Sequence, residues 1–317
     1  MEKSNNKTRV FAVVGPTAVG KTSLAIELAK RLDGEVISCD SMQIYREMDI
    51  GTAKATVEER CGVPHHLIDI LSPEESFSCA DYAILARKAI DDIVSRGKVP
   101  IFCGGTGLYL DSVIEIPSFT DTIRDEGLRA ELEALAEQNG AEALHKILEE
   151  IDPESAEAIH ANNVKRVIRA IEIFKTTGKK KSELDALSKE KPSAYDATVF
   201  FLTARDRDFL YSRIDSRVDQ MIKVGLVSEC RALFEKGIFD INSTASGAIG
   251  YKELLPYLKG EASLDECINQ LKLSTRHYAK RQITWFKKKN YHTIYIDEES
   301  PIEYALNVIR EKYERKD

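Results

Sequence analysis

Residues 15–22 read Gly15-Pro16-Thr17-Ala18-Val19-Gly20-Lys21-Thr22, which fits the phosphate-binding loop pattern G-x-x-x-x-G-K-[ST]. An apolar run, Val10 to Val14, precedes the loop as a strand should, and a helical stretch, Lys21 to Leu32, follows it. This context restricts the chain to α/β folds in which a helix N-terminus meets the end of a strand. The glycines let backbone N–H groups turn inward around phosphate oxygens, and the helix dipole adds to the attraction. Lys21 is placed to neutralise a terminal phosphate, and the Thr22 hydroxyl to ligate Mg²⁺. The ligand class is therefore a di- or triphosphate, as in the nucleotide- and ATP-binding members of the P-loop class.

The rest of the chain supports a parallel sheet with helical crossovers. Strands are expected at Glu35–Cys39 and Lys98–Cys103, with a helix between them that Ser78 and Asp81 open and that runs to about Arg96. From Pro117 to Pro192 the texture turns charged and helical, with helices expected over Arg124–Gln138, Glu142–Glu150, Pro153–His160 and Asn163–Thr177. Val164, Val167, Ile168, Ile171 and Phe174 recur there at helical spacing. The organisation expected is a core of residues 1–116 and 197–317 around a helical insertion, 117–196. The sheet resumes at Ala197–Leu202. Asp208–Lys236 reads as a long helical stretch, and another helix, capped by Ser263 and Glu266, reaches about Lys289 before a last strand at His292–Ile296.

With 317 residues, 31% charged and 43% hydrophobic, the chain has the composition of a globular protein with a real core. No apolar run approaches the ~20 residues needed to span a bilayer, and no signal peptide is expected. The six cysteines are scattered, form no C-x-x-C, and read as reduced thiols of a cytoplasmic protein, with Cys39 and Cys103 in buried strands. A net charge of −7 argues against indiscriminate nucleic-acid binding but leaves room for a local basic surface.

Asp40 follows the second strand directly, so its carboxylate points into the phosphate crevice, where it could bind metal, accept a proton or cap the next turn. The third strand ends in Gly104-Gly105-Thr106 rather than an aspartate, which argues against an ordinary ATPase. Arg207 follows a strand and starts a helix, a position from which a guanidinium fork can cover phosphates; the alternative is a salt bridge with Asp206 or Asp208. Lys272, Arg276 and Lys280 form a stripe spaced by four, followed by Arg281, with Tyr278, Trp285 and Phe286 interleaved. Such a face either contacts nucleic acid or is a solvated surface over buried aromatics. His65-His66 reads as a pair of satisfied turn or core histidines rather than a metal site.

Several segments taken together resemble the bacterial tRNA dimethylallyltransferase (tRNA isopentenyltransferase) family. They are Gly15–Thr22, Asp40–Arg46 running on to Met48–Lys54, Gly62–Asp69, Gly104–Leu110, Arg166–Glu172, Ala248–Glu253 and Thr275–Phe286. The resemblance covers nearly the whole chain. It implies a P-loop kinase-like α/β core with a helical insertion that grips the tRNA anticodon stem-loop. The reaction it implies moves a dimethylallyl group from dimethylallyl diphosphate to N6 of the adenosine 3′ of the anticodon, position 37, in tRNAs reading codons that begin with U. Diphosphate leaves, aided by Mg²⁺.

By that resemblance, Thr17, Lys21, Thr22 and Arg207 contact the diphosphate, with Gly15, Ala18, Val19 and Gly20 completing the cradle. Asp40 is the general base. Asp40, Ser41, Met42, Gln43, Thr106, Arg129, Lys165 and Arg169 match tRNA-contacting positions, with Arg166 beside them; Lys280 and Arg281 join these from the basic helix. The insertion reads Asn162-Asn163-Val164-Lys165-Arg166 where the family has a Gln-Arg pattern. A monomer is expected. Two other readings explain less of the chain: an adenylate dimethylallyltransferase, which leaves the insertion without a task, and a small-molecule kinase.

Overall fold

The computed structural model describes residues 7–115, 125–190, 193–241 and 243–313. The elements are β1 (Thr8–Val14), α1 (Lys21–Leu32), β2 (Gly34–Ser38), β3 (His65–His66), α2 (Cys79–Ser95), β4 (Val99–Gly104) and α3 (Gly107–Ile114). Next come α4 (Glu126–Asn139), α5 (Ala141–Ile151), α6 (Pro153–Ala158), α7 (Val164–Thr177) and α8 (Lys181–Glu190). The chain finishes with β5 (Tyr195–Thr203), α9 (Arg207–Val224), α10 (Leu226–Glu235), α11 (Leu255–Leu258), α12 (Leu264–Phe286), β6 (His292–Tyr295) and α13 (Pro301–Tyr313).

The six strands form one parallel sheet in the order β3-β2-β4-β1-β5-β6. β1 lies between β4 and β5 and is buried from Val10 to Val14, as a strand covered on both faces must be. On one face Leu24, Ala25 and Leu28 of α1 pack with Leu210 and Ile214 of α9 and with Ala305 and Ile309 of α13. α2 and α3 pack together, and the Tyr82 hydroxyl donates to the Ser38 carbonyl at 3.0 Å, which fixes α2 to the end of β2. Ser78 and Asp81 form the expected capping box, as do Ser263 and Glu266.

The helical Asp208–Lys236 stretch is divided into two helices, because Gly225 adopts φ 112° and ends α9 in the left-handed region. After the last strand the chain forms α13, which closes over Phe11 through Tyr313. His65 and His66 pair in β3; His65 Nδ1 lies 2.8 Å from the Val63 carbonyl and His66 Nε2 2.7 Å from Glu35 Oε2.

The chain divides into two compact units, 1–114 with 195–317, and 115–194. The expected boundary at 117, the helix start at Arg124 and the exit at Pro192 lie outside the described residues. In the second unit Leu132, Leu144, Leu148, Val167, Ile168 and Ile171 make the core, so the periodic face of α7 points inward. Glu172 also points inward and is fully buried. Arg129 grips it through Nε at 2.7 Å and a second nitrogen at 2.8 Å, Arg169 adds a bond at 2.5 Å, and the Asp125 N–H donates at 3.0 Å. Burial pushes the carboxyl up, but the hydrogen bonds from the two arginines prevail and hold it at about 2.

Glu172→Gln should therefore destabilise the second unit by about 3 kcal/mol, the low end for breaking a buried ion pair, because both arginines can turn to solvent. In the wild type this contribution is present above about pH 4.5 and is lost as pH falls toward about 2, the sign for a depressed carboxyl. Hydrogen exchange of α7 in the full chain reads both effects; exchange insensitive to Glu172→Gln would refute the assignment.

Candidate active site

A cleft of about 710 Å³ opens at the carboxyl edge of the sheet. The phosphate loop forms one wall. Gly20 adopts φ 85° at the start of α1, a conformation that lets the loop turn directly into the helix. Thr17, Ala18, Gly20, Lys21 and Thr22 line the cleft, whereas Gly15 and Val19 support the loop from behind. Lys21 Nζ donates to the Pro16 carbonyl at 2.6 Å. Burial lowers its pKa to about 8, with the positive charge of Arg217 adding to the shift.

Asp40 faces the loop from the end of β2 and lines the cleft with Ser41, Met42 and Gln43. Asp40 Oδ1 accepts the Met42 N–H at 2.9 Å, so this residue both caps its turn and presents a carboxylate to the cleft. Thr106 stands behind: its Oγ1 accepts the Ser41 N–H at 3.1 Å. Gln43 Nε2 donates to the Thr52 carbonyl at 3.1 Å, tying the turn to the next loop. That loop is held by groups the sequence reading did not single out. Glu229 accepts the Asp49, Ile50 and Gly51 N–H groups at 3.1, 2.8 and 3.0 Å, and the Tyr251 hydroxyl at 2.7 Å. Lys54 is sequestered beneath it by Asp49 and Asp69.

Arg207 is exposed on the first turn of α9 and does not line the cleft. Helical geometry brings a different arginine there: ten residues on, Arg217 is about 15 Å further along the helix and roughly 80° around it. Ile214, Arg217, Val218 and Met221 form one inward stripe, and all four line the cleft. Burial pushes the Arg217 pKa down, opposed by the charges of Asp40 and Glu59. Arg213, half a step behind, donates from Nε to the Ala18 carbonyl at 2.7 Å and so braces the loop. The i, i+3, i+4, i+7 pattern around Arg217 was the available signal. Arg205 lies elsewhere, paired with Glu298 at 2.6 Å.

The third wall is α12. Tyr278, Arg281 and Gln282 line the cleft, but Lys280 faces solvent. Burial raises the Tyr278 phenol to about 12, and the Asp40 charge acts in the same direction. The basic stripe divides: Lys272 pairs with Asp219 at 2.6 Å and Arg276 with Asp215 through Nε at 3.0 Å, because α12 packs along α9. Those two cations hold helices together. In the second unit Lys165 and Arg166 are exposed on the first turn of α7, whereas Arg129 and Arg169 are engaged on Glu172.

The fold and cleft define a P-loop transferase. The chain belongs to the IPP transferase family, whose profile matches residues 43–289. A tRNA dimethylallyltransferase of Bacillus cytotoxicus is 54% identical over 90% of each chain. One from Halalkalibacterium halodurans is 51% identical over 98% of this chain and 99% of its own. Among solved structures, the tRNA isopentenylpyrophosphate transferase of Bacillus halodurans matches with a TM-score of 0.72 at 48% identity, covering 98% of both chains. A eukaryotic dimethylallyltransferase acting on tRNA matches with a TM-score of 0.80 at 30% identity, covering 98% of this chain and 77% of that one.

Isothermal titration with inorganic diphosphate tests the placement of the cations. Arg217→Gln should weaken binding about 10–100-fold, the scale of a lost charge-assisted bond, and Arg207→Gln by no more than about twofold. The reverse order would restore Arg207. Because Lys21 titrates at about 8, affinity should be full below that pH and fall by up to about tenfold per unit above it; Lys21→Met should abolish that slope.

Proposed function

We propose that the protein is a tRNA dimethylallyltransferase that prenylates N6 of adenosine 37 in tRNAs reading codons that begin with U. The observation that carries this reading is one cleft holding a phosphate cradle, a carboxylate and an apolar arm. Thr17, Lys21, Thr22 and Arg217 supply the cradle, Asp40 the carboxylate, and Val218, Met221, Ala248 and Leu271 the arm. The cradle suits the diphosphate and the arm the five-carbon chain of dimethylallyl diphosphate.

In the reaction, the N6 lone pair forms a bond to the allylic carbon as the carbon–oxygen bond breaks, and diphosphate leaves with that electron pair. The N6 proton passes to Asp40. Tyr278, held at about 12, stays protonated at neutral pH and serves as a donor rather than the base. Lys21 and Arg217 stabilise the charge that grows on the leaving oxygen. Thr22 is the residue that would hold Mg²⁺. Its hydroxyl sits in the cradle, and an ion bound mainly through diphosphate oxygens and water needs only one or two protein ligands. When bound, Mg²⁺ supplies Lewis-acid stabilisation of the departing diphosphate.

Arg281, which lines the cleft, and the exposed Lys280, Lys165 and Arg166 are cations available to meet tRNA phosphates. Labelled dimethylallyl diphosphate offered with Mg²⁺ to unmodified tRNA and to AMP should label tRNA alone; label in AMP alone would overturn the assignment. Asp40→Asn should lower turnover by about 10²-fold or more while leaving tRNA affinity within about threefold. Turnover near that of the wild type would remove Asp40 as the base.

A further inference from the structure

Gln282 is a buried polar side chain, 5% exposed, that the reaction above does not use. Its carboxamide bridges two turns. Oε1 accepts the Thr17 N–H of the phosphate loop at 3.2 Å, and Nε2 donates to the Gly105 carbonyl at 3.0 Å. The fit requires glycine at 105, because a Cβ there would overlap Gln282 Nε2. From Gly105 the connections continue. The Thr106 N–H donates to the Cys39 carbonyl at 3.1 Å, and Thr106 Oγ1 accepts the Ser41 N–H at 3.1 Å. Cys39 and Ser41 flank Asp40. A row of hydrogen bonds therefore runs from the diphosphate cradle to the base, with Gln282 at its midpoint.

We propose that Gln282 is a positioning residue that sets the separation between the phosphate loop and Asp40, and so aligns the leaving group with the attacking amine. The proposal rests on the transferase reading. Its chemistry is specific: a carboxamide offers one donor and one acceptor without charge, as two backbone groups of opposite polarity demand. A carboxylate can accept from Thr17 but meets the Gly105 carbonyl with a second acceptor. A protonated carboxyl restores the donor.

Gln282→Glu thus separates positioning from mere packing. Its kcat relative to wild type should be about 10²-fold down at pH 8.5, the cost of a misalignment near 1 Å. The ratio should recover at least about tenfold by pH 5.5, as the carboxyl takes up a proton. Taking the ratio at each pH removes the pH dependence that both enzymes share through the charged groups lining the same cleft, Glu27, Lys30, Asp40, Glu59, Lys21, Arg217, Lys252, Tyr278 and Arg281 among them. Gln282→Met should be low at every pH, with KM for dimethylallyl diphosphate changed less than about threefold and hydrogen exchange at Thr17 raised.

A ratio flat with pH, a loss confined to KM, or exchange at Thr17 unchanged in Gln282→Met would each overturn the proposal. Lack of any transfer by the wild type would count against the transferase reading instead, and exchange at Thr17, measured without substrate, would still decide whether Gln282 holds the loop.

Discussion

Close backbone approach at the carboxyl edge of the sheet governs the rest of the site. The turn after β4 runs so near α12 that a side chain at Gly105 would overlap Gln282 and one at Gly107 would overlap Trp285. Trp285 in turn donates from Nε1 to Asp111 at 3.0 Å. A helix seated this closely brings its own side chains over the phosphate loop, and Tyr278, Arg281 and Gln282 become cleft residues as a consequence. Without those small residues α12 would stand off, and the cleft would lose its third wall. The absence of an aspartate at the end of β4 has the same origin: the position is given over to backbone contact.

Ion pairing sorts the basic residues. Lys272 and Arg276 are bound to Asp219 and Asp215, Arg129 and Arg169 to Glu172, and Lys54 to Asp49 and Asp69. The Lys272, Arg276 and Arg129 pairs hold one helix against another, and the Arg169 and Lys54 pairs brace α7 and the loop after Asp40. The cations lining the cleft, Lys21, Lys30, Arg217, Lys252 and Arg281, form a small group in a chain whose net charge is −7. The local field at the phosphate loop is thus opposite in sign to that of the whole molecule, and close range with low local dielectric lets it dominate there.

This sorting explains what could be read before the fold was known. The loop, α1, the two capping boxes and the inward face of α7 were legible because each is encoded by neighbours in the chain: a motif, a cap residue or a 3.6-residue period. Asp40 was legible because strand ends in parallel sheets point to one edge. That Arg217 rather than Arg207 lines the cleft was not legible, because a helix start looks equally suited to phosphate whichever way its axis points and the choice depends on how α9 packs, which is a long-range fact. Likewise Lys272 and Arg276 form a cationic stripe in one helix and an ion-pair seam only once α9 is beside them. Gln282 carries no local signal, since its partners, Thr17 and Gly105, lie 265 and 177 residues away.

The proposed leaving group agrees with the same geometry. In P-loop enzymes that transfer phosphoryl groups, a metal held by the loop hydroxyl and a Walker-B aspartate bridges the phosphates, and the attack occurs at phosphorus. Here the strand beside β1 ends in Gly104, Gly105 and Thr106, and the carboxylate facing the loop, Asp40, comes from β2, one strand further out. On the inward stripe of α9, Arg217 is flanked by apolar Ile214, Val218 and Met221. A cleft lined by phosphate-binding and apolar residues suits the proposed diphosphate ester of a hydrocarbon, with attack at carbon and the whole diphosphate departing. In that proposed reaction the loop keeps its affinity for phosphate oxygens while its role changes from activating an electrophile to stabilising a leaving group.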